Sequence, residues 1–410
     1  MSIPQNIHVE NIVLFDDPIW QQLLPLTFTR PISEIRIGIL TIREKWMYEL
    51  KSNVSPQTVP YLSNKYPMVV KQNNLFINAS YLPTKPLIQQ ILSLKLGEVL
   101  CFGASIVALK LEEGKVSSFD QNFDLKGLDR IELVQRDQNI LRIERPWHIL
   151  AMIQSELIND FDRIMHKRVG EKLSETNRTI GNHVVFAESG VKAECVIFNT
   201  TNGPIYLGKN SEVMEGSTIR GPFALGEGST VNMGAKIYGP TAVGPSCKVG
   251  GEIKGSQFFG NGNKGHDGFL GDSIIGEWCN LGADTNSSNL KNNYQPVRVW
   301  SYVEEKFIDS GLQFCGLIMG DHSKCGINTM FNTGTVVGAY CNIFGEGYPR
   351  TFIPSFSWGG ASGFQTAPIK KMLETAEIVM LRRKVTLTDD DKDIAQEIFE
   401  RTKKYRAKEG

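Results

Sequence analysis

From residue 207 to 254 an apolar residue returns at every sixth position: LGKNSE (207), VMEGST (213), IRGPFA (219), LGEGST (225), VNMGAK (231), IYGPTA (237), VGPSCK (243) and VGGEIK (249). The same beat returns as FLGDSI (269), IGEWCN (275) and LGADTN (281), then as MGDHSK (319), CGINTM (325), FNTGTV (331) and VGAYCN (337). It reaches upstream, less cleanly, from IGNHVV (180). A six-residue period with an apolar first position predicts a parallel β-helix, in which that residue points inward and stacks on its copy one coil away. The fifth position takes small residues such as Ser211, Ser217, Ala235, Cys247, Cys279 and Thr335, and is expected inward too. Gly at the second position suits a corner that a Cβ would resist. Two stretches break the beat: a loop holding His266, and about 287–318.

Other patterns precede and follow the repeat. Over 1–145 the short apolar runs NIVLF (11–15) and NNLFINA (73–79), and two strands around a Gly turn in EVLCFGASIVALKL (98–111), alternate with a helical stretch, LPTKPLIQQILSLKLG (82–97). That alternation predicts a Rossmann-like α/β domain with a mostly parallel sheet. Over 146–168, Trp147, Leu150, Ile153, Leu157, Phe161 and Ile164 recur at helical spacing behind Pro146, which predicts a linker helix. The β-helix is placed at 175–363. Residues 364–410 then carry two further helices, expected to cap the open end of the solenoid.

Composition narrows the classes of function. Lys and Arg number 44, as do Asp and Glu, so neither a basic nucleic-acid footprint nor an acidic tail is present. No secretory leader pattern and no long apolar run is seen, and a soluble cytoplasmic protein is the expectation. The 7 Cys lack CxxC spacing. Cys247, Cys279, Cys325 and Cys341 fall on or near first or fifth positions and read as small buried apolar residues rather than as reactive ones.

The first interrupted stretch, KGHDGFLGDSIIGEWCNLGADTNSSNLK, resembles the acetyltransferase half of the bifunctional GlmU-type family, N-acetylglucosamine-1-phosphate uridyltransferase/glucosamine-1-phosphate N-acetyltransferase. GH, LGD, IG, NLGA and a later Asn match that family's pattern without gaps from His266 to Asn289. The resemblance implies a nucleotidyltransferase-like domain, then a left-handed β-helix that acts as a homotrimer, acetylating glucosamine 1-phosphate from acetyl-CoA. It implies His266 as the general base, with Glu252 beside it, and imidazole chemistry suits that task. Lys236 and Lys254 stand where the family holds the sugar phosphate. Asn280 and Asn289 fall at acceptor positions, and Ala283 and Ile327 at positions near the coenzyme. The family's Tyr after GH is Phe269 here, a second Tyr is Leu290, and a Ser that meets coenzyme A is Ile327. Each of these residues also has a plain reading: a solvated loop His, ordinary surface Lys. His322 beside Lys324 reads as surface first, and as a site near the coenzyme second.

The resemblance extends to the N-terminal domain less fully. It implies uridylyl transfer from UTP to N-acetylglucosamine 1-phosphate with Mg²⁺. The Gly-rich phosphate loop of such domains is replaced by FDDPIWQQLLPLTFTRPISEIRIG (15–38). Arg30, Arg36 and Arg43 are candidates for nucleotide phosphates in its place. Asp16 and Asp17 are candidates for the metal, or a plain surface pair, and Asn78 and Ser80 stand where a later metal-binding Asp is expected. Two other readings remain open: a uridylyl- or thymidylyltransferase whose β-helix serves assembly only, and a non-catalytic trimeric scaffold that binds a sugar nucleotide.

Overall fold

A computed structural model describes residues 11–116, 127–133, 140–166 and 168–406. Residues 1–10, read above for a leader pattern, and Lys167 within the expected linker helix lie outside the described residues. The chain forms two compact units. The first takes the chain up to Leu23, Arg30–Ile35 and Leu40–Glu144; the second takes Leu24–Thr29, Arg36–Ile39 and Arg145 onward.

The first unit is built on a six-stranded sheet. Its strands lie in the order Val54–Gln57, Ile12–Phe15, Asn73–Asn78, Ser105–Glu112, Glu98–Phe102, Asp129–Glu132. The first two pairings and the last are parallel, and the other two are antiparallel. The sheet is therefore mixed, three of its five pairings being parallel. EVLCF and SIVALKLE are joined by a two-residue turn, which can connect only antiparallel neighbours. Val13, Phe15, Phe76, Val99, Leu109 and Leu111 bury one face. The helix is confined to Lys85–Leu92, because the Leu82 amide bonds the carbonyl of Leu141 at 2.9 Å and keeps that end extended.

The second unit opens with the helix His148–Met165, which buries Ile149, Ile153, Leu157, Phe161 and Ile164. Asp160 on that helix accepts from the Ile39 amide at 3.0 Å and from Arg163 at 2.9 Å. The rest is a parallel β-helix of three sheets, with eight, nine and ten strands. Each sheet stacks one inward residue per coil. On the first face Phe198, Ile219, Ile237, Ile253 and Leu270 stack; on the second, Leu207, Leu225, Val243, Phe258 and Ile275. All of these are buried, as are the fifth-position residues from Ser211 to Cys341. Burial pushes the Cys247 thiol up to about 12 and raises Cys325 and Cys341, as expected of packing groups.

The register departs from the sixfold count in three places. In the first coil Thr179 pairs with Phe198, and Ile180 is exposed. After Val249 the inward residue comes four positions on, at Ile253, and the next at Phe258. Further on it is Leu270 that points inward, while Phe269 is only half-buried. The stretch around His266 is therefore no excursion. The strands Glu252–Lys254, Gln257–Phe258, Asn263–Lys264 and Phe269–Gly271 run through it, one coil merely being shorter. What hides the beat is that Lys264 takes the inward position above Val249, where an aliphatic residue is expected.

The second interruption is real. Between the paired strands Ile274–Ile275 and Ile318–Met319 the chain throws out an antiparallel hairpin, Arg298–Ser301 with Lys306–Asp309. The β-helix ends in a second hairpin, Ser357–Gly360 with Gly363–Thr366. The helices Ile369–Leu381 and Asp389–Arg401 follow, the latter started by a Thr388 capping box. They lie along the flank rather than only across the end. Arg383 donates to the Ser246 carbonyl at 2.5 Å, and Arg406 to that of Ser355, many coils away, at 2.9 Å. Among the described residues no helix is long and apolar enough to cross a membrane.

Candidate active site

His266 sits on a corner, Gly265–Gly268, between the strands Asn263–Lys264 and Phe269–Gly271. Every carbonyl of that corner is tied down. Asn232 Nδ2 reaches the Gly265 oxygen at 2.7 Å, and Lys264 Nζ reaches those of His266 and Asp267 at 2.7 and 3.1 Å. The Asp284 amide bonds the Asp267 oxygen at 3.0 Å, and the Glu252 amide bonds that of Gly268 at 3.2 Å. Glycines make the close stacking feasible. A Cβ at Gly250 would come within 2.4 Å of the Gly265 oxygen, and one at Gly268, where φ is +108°, within 2.3 Å of the Thr285 oxygen. The imidazole leaves this pinned backbone toward solvent, since His266 is exposed. Rigid support under an accessible side chain is what a general base needs.

The expected sugar-phosphate residues share one face. Lys236 pairs with Glu252, and Glu252 with Phe269, on neighbouring strands; Tyr238 pairs with Lys254. A cavity of about 340 Å³ lies on the same face, lined by Ile197, Asn199, Thr218, Arg220, Lys236 and Tyr238. Arg220 was missed in the sequence, although its place in IRGPFA, one coil before Lys236, was available as a signal. It supplies the forked cation that Lys236 lacks.

Lys254 is directed differently. Its Nζ stands 4.7 Å from the ring centre of Phe314, a residue of the long excursion that bridges to Leu290. Asn289 donates to Asp272, the Asp of LGD, whose carboxyl is raised by burial. Asn280 accepts from Asn263 at 2.7 Å, beside the His266 corner. Ala283 and Ile327 occupy the same corner on later coils. The Asn328 amide bonds the Ala283 carbonyl at 2.8 Å, and Ile327 is 70 % exposed. His266, Ala283 and Ile327 thus form one outward row. His322 does not belong to it and is not on the surface. It is 7 % exposed and stacks between Trp278 and Tyr340.

The N-terminal candidates are each engaged by other groups of the protein. Arg43 pairs with Glu34, and Arg36 donates to the Phe259 carbonyl at 3.1 Å. Arg30 is buried and its carbonyl accepts from Trp20 at 3.3 Å. Asp17 accepts from the Ile19 amide at 3.0 Å, from Asn78 at 2.8 Å and from Arg142 at 2.8 Å. Arg142 also donates to Ser80 at 3.0 Å, so a guanidinium fills the space between the residues proposed for a metal. Asp16 accepts from Ile32 at 2.9 Å and Thr58 at 2.5 Å, yet burial dominates and pushes its carboxyl up to about 8. Asp17 thus commits an oxygen to a guanidinium, while burial raises the Asp16 carboxyl beside it. Among the described residues no cluster of three or more His, Cys, Asp or Glu is placed to hold a metal.

Asp16 makes its own prediction. A carboxyl whose folded pKa is raised from 3.8 to about 8 contributes stability below pH 4 that is lost as pH climbs through 8. Asp16→Asn is expected to flatten that decline, read as the first unit's urea midpoint between pH 5 and 8. An equally steep decline in the variant would assign it to other groups.

Comparison with known proteins gives three findings. Residues 12–169 match a family model described as sugar nucleotidyl transferase. Over 92 residues the chain is 40% identical to the bifunctional protein GlmU of Methanocaldococcus jannaschii, covering 22% of each chain. Over 93 residues it is 36% identical to a bifunctional sugar-1-phosphate nucleotidylyltransferase/acetyltransferase of Sulfurisphaera tokodaii, covering 23% of each. These matches span less than a quarter of either relative's length. An Arabidopsis UDP-N-acetylglucosamine acyltransferase structure overlaps 56% of this chain and 92% of its own, at 13% identity and a TM-score of 0.22. The chain is thus similar to sugar nucleotidyl transferases over residues 12–169, ahead of its β-helix, and similar to the bifunctional GlmU-type transferases over less than a quarter of its length.

Proposed function

We propose that the β-helix transfers an acetyl group from acetyl-CoA to the amine of glucosamine 1-phosphate. The observation that carries this reading is the exposed His266 imidazole on a corner with every carbonyl tied. The amine attacks the thioester carbon while His266 takes its proton; the C–S bond breaks, and coenzyme A leaves as the thiol once protonated. Glu252, one strand away, supports the charged imidazole. Lys236, with Arg220 in the same cavity, holds the phosphate, and Lys254 lies on the neighbouring strand. Asn280 and Asn289 line the acceptor, and the row through Ala283 and Ile327 takes the coenzyme. The homotrimer belongs to this reading on the strength of the resemblance, and the cytoplasmic location on the sequence pattern.

For the N-terminal unit the same reading is uridylyl transfer from UTP to N-acetylglucosamine 1-phosphate, which would complete UDP-N-acetylglucosamine. Its support is the family match over 12–169. The pairing of Asp17 with Arg142 favours a second reading, in which this unit binds a sugar nucleotide without transferring it.

The full chain, given acetyl-CoA and glucosamine 1-phosphate, is expected to release thiol. Lys236→Met should raise the KM for the sugar phosphate about tenfold through loss of a charged hydrogen bond, with KM for acetyl-CoA unchanged. Absence of thiol release would overturn the acetyl-transfer reading. Pyrophosphate release with UTP and N-acetylglucosamine 1-phosphate would decide for uridylyl transfer, and its absence for binding alone.

A further inference from the structure

Along the third face of the β-helix the inward positions read Val213, Val231, Val249, Lys264, Leu281 and Cys325. Lys264 is 1 % exposed. A lysine inside an aliphatic stack is costly unless its ammonium is paired or fully hydrogen-bonded. An ammonium has three donors. Here three carbonyls receive them: His266 at 2.7 Å, Asp267 at 3.1 Å and Gly250 at 3.3 Å. Two of those acceptors belong to the corner that carries His266, and the third to the corner beneath it. An aliphatic residue would fill the stack equally well but would hold none of them. The lysine stem therefore does the work of the stack and its head does something else.

We propose that Lys264 is a positioning residue for His266: an internal ammonium that fixes the His266–Asp267 peptide and so the direction in which the imidazole leaves the corner. This rests on His266 being the base. Burial lowers the Lys264 ammonium to about 8, opposed by the carboxylates of Asp267 and Asp284 around it, so the ammonium keeps its proton near neutral pH.

The test uses the full chain with Lys264→Met, and with Lys264→Val to match its neighbour Val249. Both are expected to melt no lower than wild type. The kcat for thiol release should fall about tenfold to a hundredfold, the scale of a misplaced catalytic group, with KM for acetyl-CoA unchanged. In a His266→Ala background the Lys264→Met effect should vanish, because the two act through one group. Deuterium uptake over residues 263–271 should rise. An unchanged kcat beside an inactive His266→Ala overturns the positioning role alone, as does an equal fall in both backgrounds or failure of both Lys264 variants to fold. A His266→Ala variant at the wild-type rate overturns the base assignment and this proposal together.

Discussion

Replacing Arg142 with methionine is expected to destabilise the N-terminal unit by about 3 kcal/mol, the low end for breaking a buried ion pair. Arg142 and Asp17 keep only 19 % and 11 % of their side-chain surface. Without the guanidinium, Asp17 retains the Asn78 and Ile19 hydrogen bonds but loses its countercharge. Ser80 loses a donor, and the Tyr81 ring loses a cation 4.9 Å from its centre. Adding Asp17→Asn should recover most of the loss, because the double variant leaves no uncompensated charge. Urea unfolding of the three variants measures this. The same experiment addresses the metal. If Asp17 and Ser80 belong to a guanidinium, Mg²⁺ leaves the wild-type midpoint where it is. A site for the ion would instead raise that midpoint as its concentration climbs. A magnesium-dependent rise in the wild type would restore the metal reading, and a Met variant as stable as wild type would show that the pair contributes nothing.

This network also marks where the sequence stops being informative. Asp16 and Asp17 follow an apolar run, which is where a metal-binding pair would stand, and nothing in their local pattern reveals Arg142, 125 positions away. The β-helix is different, because each coil repeats the same inward requirement within a few residues. Val213, Val231 and Val249 announce one another. The legibility ended where one residue broke the rule. A charged side chain at 264 makes a continuous ladder read as a loop, and the sixfold count falls on Phe269 where Leu270 is the inward residue. His322 was misjudged for the same kind of reason. Its place in the ring stack with Trp278 and Tyr340 depends on coils 18 to 44 residues apart. His266, Glu252 and Lys254 are legible by resemblance, and Arg220, outside the matched motif, is not.

His266→Ala should lower kcat for thiol release by about a hundredfold to ten-thousandfold, the contribution of a positioned base. The argument for so large an effect is structural. The amine of an amino sugar is a weak nucleophile while it carries its proton. The only histidine on this row is the one whose backbone is held by Asn232, Lys264, Asp284 and Glu252. Because the side chain is exposed, its loss should leave the melting point near wild type and change stability by less than about 0.5 kcal/mol. Both KM values should hold, since Lys236, Arg220 and the Ala283–Ile327 row are untouched. A fall in kcat at constant KM and constant stability separates lost chemistry from lost structure. Retained activity would remove His266 from the reaction and turn attention to Glu252, half-buried beside Lys236 on the adjoining strand. A rise in the acceptor KM instead would make His266 a binding residue, and the tied corner a means of presenting a hydrogen bond rather than of taking a proton.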